Sequence, residues 1–238
     1  VHWYIYANNI PLKMEYVEGT VEYDLVSATW RGDVQEVQRL LLYVSDVNGE
    51  ADPGGWRWPA SALWLAAHRE KMDILAVLCT HPLIDLNQLR YGKGPTPLMD
   101  ASFNGGVESV AFLVEKGANV LKKNSKDEDA LWKALYSPAI ECEANRRKIV
   151  LTLLHQYPPH LMVTAISEVR RKRPNLLEPS DLQHLLPSLQ WWCQYRILQN
   201  TDYKDLTLLG LPPPIIGQLL HNYQCLSIGT DPEALDIT

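Results

Sequence analysis

One frame of residues returns four times in this chain. A fixed internal period restricts the fold more than composition does, because each unit must bury its apolar face against its neighbours. The units read DLVSATWRGDVQEVQRLLLYVSDVN from Asp24, ALWLAAHREKMDILAVLCTHPLIDLN from Ala62, TPLMDASFNGGVESVAFLVEKGANV from Thr96, and ALWKAL from Ala130, resumed at RRKIVLTLLHQYP from Arg146. Their anchor leucines Leu25, Leu63, Leu98 and Leu131 lie 38, 35 and 33 residues apart. Three positions after each stands an alanine, Ala28, Ala66, Ala101 or Ala134, which lets a short first helix pack closely. A second helix follows, with apolar residues at helical spacing: Val34, Val37, Leu40 and Leu41; Met72, Leu75, Leu78 and Cys79; Val107, Val110, Leu113 and Val114. Gly32 and Gly105 predict the turn between the two helices, where a residue without Cβ costs least. Asp46-Val47-Asn48, Asp85-Leu86-Asn87 and Gly117-Ala118-Asn119 then turn the chain outward toward the next unit.

With 238 residues, 46% of them hydrophobic and 21% charged, the chain can bury a substantial core in one continuous body or two domains. The net charge of −6 argues against a broad basic field for nucleic acid. The run Arg170-Arg171-Lys172-Arg173 reads either as a nuclear-import address or phosphate patch, or as a solvated helix end before Pro174. No stretch approaches the roughly 20 apolar residues that span a bilayer, and the N-terminus lacks a signal-peptide layout, so a cytoplasmic chain, with nuclear entry open, is expected. Cys79, Cys142, Cys193 and Cys225 form no zinc spacing and read as reduced, mostly buried thiols. The sequence opens at Val1, as a processed product or a fragment would, and its aromatic-rich first 13 residues read as a cap on the first unit or as lying outside the domain.

The third unit, with Gly94-Pro95-Thr96-Pro97-Leu98, Gly105, Glu108 and Gly117-Ala118-Asn119, resembles the ankyrin repeat family, and the resemblance extends over about residues 24 to 157. It implies an all-α ankyrin-repeat solenoid of about four repeats, with a concave surface built from the first helices and the projecting loops. Two departures stand out: residues 49–60 (GEADPGGWRWPA) lengthen the first connection, and 138–144 (PAIECEA) separate the helices of the fourth unit. Both are expected as surface loops.

Beyond the repeats, Ser188-Leu189, Cys193 and Ile197 form SLxxxCxxxI in a helical window, so Leu189, Cys193 and Ile197 share one helix face. This resembles the elongin B/C-binding box that begins a SOCS box. A looser match to the LPxP-type cullin 5 box lies at Leu211-Pro212-Pro213-Pro214 with Ile215, Ile216, Leu219 and Leu220. Gly217 stands where the family places an apolar residue, so the register shifts by one or the cullin contact is weaker. The resemblance implies an ankyrin-repeat and SOCS-box substrate receptor of cullin-RING ubiquitin ligases, with elongin B/C, cullin 5 and a substrate protein as partners. The expected organisation is an N-terminal extension or cap (1–23), ankyrin repeats (24–158), a helical connector (159–187), a SOCS-box-like module (188–224) and a tail (225–238). The same C-terminal residues would also serve as a helical cap on a stand-alone ankyrin scaffold.

Seven histidines are scattered, with no HExxH, phosphate loop or GxSxG, so no catalytic, metal or cofactor site is expected, and the histidines are expected in exposed or loop positions. An enzyme or a nucleic-acid-binding subunit finds no supporting motif. Substrate binding is expected at the residues that close each first helix: Trp30 and Arg31, His68 and Arg69, Phe103 and Asn104, and Tyr136 with Ser137. Aromatics and arginine are enriched at binding hot spots, although Trp30 and Phe103 could instead pack against adjacent helices. The loop residues Trp56, Trp58, Arg90 and Tyr91 would extend the same surface.

Overall fold

The computed structural model describes residues 15, 16, 18–55, 59–178, 180, 181 and 185. The chain divides into two compact units, Val1–Leu153 and Leu154–Thr238. The first holds β1 (Glu15–Tyr16), α1 (Val21–Arg31), α2 (Val34–Leu40), β2 (Glu50–Ala51), β3 (Ala60–Ser61), α3 (Ala62–His68), α4 (Met72–Leu78), α5 (Pro97–Asn104), α6 (Val107–Glu115), α7 (Ala130–Tyr136) and α8 (Glu143–Leu154). A 3-10 turn, Arg90–Gly92, precedes α5. The described part of the second unit centres on α9 (Pro159–Lys172), which buries Met162, Ile166 and Val169 on one face. Arg170, Arg171 and Lys172 fill its last turn, where cations complement the negative pole of the helix dipole.

The first unit stacks helix pairs. α1 packs on α2 and α3, α3 on α4 and α5, and α5 on α6 and α7, while the second helices α2, α4 and α6 form their own layer. Four alanines make this close approach possible: Ala28, Ala66, Ala101 and Ala134 are all wholly buried, with Leu25, Leu63, Leu98 and Leu131 beside them. The second helices bury Val37 and Leu40, Leu75 and Leu78, and Val110 and Leu113, while Val34, Met72, Val107 and the other flanking positions remain half-covered. In the fourth unit α7 buries Ala130, Leu131, Ala134 and Leu135, and α8 buries Ile149, Val150 and Leu153.

Each first helix starts on a side-chain oxygen that accepts a backbone N–H one turn on: Thr20 from Tyr23, Ser61 from Trp64, Thr96 from Met99 and Asp129 from Trp132. Gly32 and Gly105 close α1 and α5 in the left-handed region, at φ 82° and 85°. The equivalent position of the second repeat is Glu70, at φ 53°, a conformation that costs a side-chain-bearing residue more than it costs glycine. The outward turns are tied from repeat to repeat by asparagine. Asn48 accepts from the N–H of Asp85 at 2.8 Å, and Asn87 accepts from that of Asn119 at 2.7 Å.

Both long connections carry more structure than surface loops. Within 49–60, β2 and β3 pair antiparallel and β1 adds in parallel to β2. Glu50 is buried there, accepting hydrogen bonds from the Tyr91 N–H and the Gln88 side chain, which fastens this hairpin to the next connection. In 138–144, Ile140 is buried over Gly105, so close that a Cβ at Gly105 would lie 3.3 Å from it. Arg146, only 2% exposed, donates to the carbonyl oxygens of Ala134, Ser137 and Ile140. Its guanidinium thereby satisfies the free carbonyl end of α7, a cation at the negative pole of the helix.

Candidate functional site

The last residues of the first helices lie on one face of the first unit because the repeat places them in register. Trp30, Phe103, Asn104 and Tyr136 are half-buried there, whereas Arg31, His68 and Arg69 are exposed. Ser137 is buried, and its hydroxyl donates to the Phe103 carbonyl at 2.5 Å. The aromatic positions therefore keep surface open to a partner, while Trp30 and Phe103 also meet the following repeat.

Those contacts are specific. The Arg69 guanidinium carbon lies 3.2 Å from the Trp30 ring centre, and Arg31 donates to Ser27 at 2.7 Å. His68 Nδ1 is 2.6 Å from Asp100 Oδ2 and 3.0 Å from the Asn104 amide, which itself donates to Asp100 at 3.1 Å. Lys133 stands 5.8 Å from the Phe103 ring and pairs with Glu128 at 2.6 Å. Burial acts to raise the Glu128 pKa, but hydrogen bonds from Lys133 and Asn124 outweigh it, so the carboxyl is held below its ordinary value and stays charged.

Four residues that sequence reasoning passed over belong to this face: Trp64, Asp100, Trp132 and Lys133. A signal for two of them was present, since ALWLAAH and ALWKALY repeat a tryptophan four residues before the aromatic position. Trp64 stacks on His68 with ring centres 4.8 Å apart, and Trp132 on Tyr136 at 4.5 Å. Arg90, half-buried in the connection before α5, lays its guanidinium 4.1 Å from the Trp64 ring and donates from Nε to the Pro59 carbonyl. Tyr91, also half-buried, holds a left-handed φ of 54°.

Trp56 and Trp58 lie outside the described residues, as do Ser188, Leu189, Cys193 and Ile197 and the run Leu211, Pro212, Pro214, Ile215 and Ile216. Among the described residues no group of His, Cys, Asp or Glu is arranged to hold a metal ion, and no helix is long and apolar enough to cross a membrane. Cys142 is exposed and Cys79 half-buried, both free, where the sequence suggested mostly buried thiols. Burial pushes the Cys79 pKa up, which keeps it a thiol.

Residues 25–127 match the family model for ankyrin repeats, in three copies. A crystal structure of an ankyrin repeat domain from Acinetobacter baumannii AYE is similar at 25% identity, covering 63% of this chain and 74% of that one with a TM-score of 0.51. No curated protein sequence matches. The family match ends before α7, yet α7 packs on α5 as α5 does on α3, so the stack of first helices continues one helix beyond it. Residues 25–127 thus carry ankyrin repeats, an architecture that presents an extended surface suited to protein–protein interaction.

Proposed function

We propose that this chain is a substrate-recognition adaptor: its repeats capture a protein on the face lined by Trp30, His68, Phe103 and Tyr136, and residues 188–224 recruit elongin B/C and cullin 5 for ubiquitination. What carries the capture half is that Trp30, Phe103 and Tyr136, each with surface left open, share their repeat position with exposed His68, beside exposed Arg31 and Arg69. The recruitment half rests on sequence alone, on Leu189, Cys193 and Ile197 at four-residue steps followed by Leu211-Pro212-Pro213-Pro214. On this reading ubiquitin transfer is carried out by recruited subunits, and the chain works in the cytoplasm or, after import, the nucleus.

Co-purification of the full chain with elongin B/C tests the proposal. A stoichiometric complex is the expected result. A chain that folds, binds a protein through its repeats and leaves elongin B/C unbound would reduce it to a scaffold with C-terminal helices of another purpose.

A further inference from the structure

The second and fourth repeats carry the same tryptophan in two different states. Ser61 accepts the Trp64 N–H and Asp129 the Trp132 N–H, so α3 and α7 begin at equivalent residues, and Pro59 matches Asp127 in register, although Asp127 holds a left-handed φ of 62°. In the second repeat Arg90, supplied by the next connection, covers the indole and anchors on the Pro59 carbonyl, leaving Trp64 6% exposed. In the fourth repeat Trp132 is 36% exposed. The segment after α8, residues 155–158, contains no arginine to play the part of Arg90. Lys133 comes within 5.3 Å of the Trp132 ring, but its ammonium pairs with Glu128, and over a third of Trp132 remains exposed.

We propose that Trp132, stacked on Tyr136, receives an arginine side chain of the captured protein, which lies over the indole as Arg90 lies over Trp64 and donates to Asp127. A planar guanidinium fits both requirements, stacking on a ring while its edge forks to an oxygen, which an ammonium cannot do. Where Arg90 meets a neutral carbonyl, the guest meets the Asp127 carboxylate, whose side chain is 80% exposed and whose two oxygens accept from a half-exposed Lys123 at 2.9 Å. This inference rests on capture by the repeats and adds to it the chemistry of one contact.

Random peptides displayed against the full chain provide the test, with selected peptides then measured by fluorescence anisotropy. Peptides are expected to share an arginine whose replacement by alanine weakens binding about fivefold or more, with lysine a poor substitute. Against Trp132→Ala that penalty should vanish, and against Trp132→Phe, which preserves a ring on Tyr136, it should shrink. Binders that depend on Trp30 and Phe103 but on neither arginine nor Trp132 would overturn the inference and leave capture standing. Failure to select any binder would overturn both. A Trp132→Ala chain that turns from dimer to monomer on gel filtration would give the face to a second copy and overturn it as well.

Discussion

The guanidinium of Arg69 is seated 3.2 Å above the centre of the Trp30 ring, so the cation of the second repeat rests on the aromatic of the first. Such a contact is a nearest-neighbour coupling of the kind that sums along a repeat array. In a double-mutant cycle of Trp30→Ala and Arg69→Ala followed by urea unfolding, a coupling of about 0.5 to 1 kcal/mol is expected at this exposed site. Strictly additive effects would remove the pair from the account of how these repeats hold together.

Because the same rings offer surface to a partner, alanine at Trp30, Phe103 or Tyr136 should each weaken substrate capture by more than about 1 kcal/mol. The coupling above sets the size of the accompanying stability loss at Trp30. Isothermal titration with a captured protein separates the two effects. If each variant binds as the parent does once corrected for its folded fraction, recognition lies elsewhere on the repeats.

Arg146 is expected to be among the costliest residues to replace. Arg146→Met keeps the bulk but strands the carbonyls of Ala134, Ser137 and Ile140 away from water, a loss of about 3 kcal/mol or more. Arg146→Lys should recover part of it. Denaturation midpoints measure both, and a change within about 0.5 kcal/mol for Met would show the carbonyls finding other partners.

Acid should act on the first repeat through Glu22. Burial raises its pKa, but hydrogen bonds from the Ser45 hydroxyl and the Ser45 and Asp46 N–H groups prevail, so the folded value lies below the ordinary 4.5. With the folded pKa depressed, the stabilisation is complete above about pH 4.5 and is lost as pH falls through the folded value. Glu22→Gln should therefore flatten the fall in stability on the acid side of pH 4.5 and leave its slope at neutral pH unchanged. An identical acid limb in both proteins contradicts the assignment.

Leu189→Asp together with Cys193→Asp should abolish elongin B/C co-purification while the repeats unfold at the same urea concentration as in the parent, because two carboxylates cannot be desolvated in an apolar groove. Retained elongin binding in the double variant would exclude this helix face as the docking row.

Much of this fold was legible in the sequence because the repeat states one structural rule four times. The leucine and alanine positions, the glycine turns and the outward asparagine turns follow from spacing alone, since any helix pair with those residues buries the same stripe. The candidate face was legible to the same depth, as register and no further. Which ring is covered and which is open depends on residues distant in sequence: Arg90 reaches Trp64 from the next connection, Arg69 crosses to Trp30, and His68 meets Asp100. The sequence likewise offered 49–60 and 138–144 as surface loops, having no periodicity to read there. Only the folded chain brings Glu50 to the Tyr91 N–H and Ile140 against Gly105. Local periodicity determines which face of a helix is buried, while the partner that buries it is chosen by tertiary packing, where a single arginine or buried carboxylate from another repeat decides the outcome.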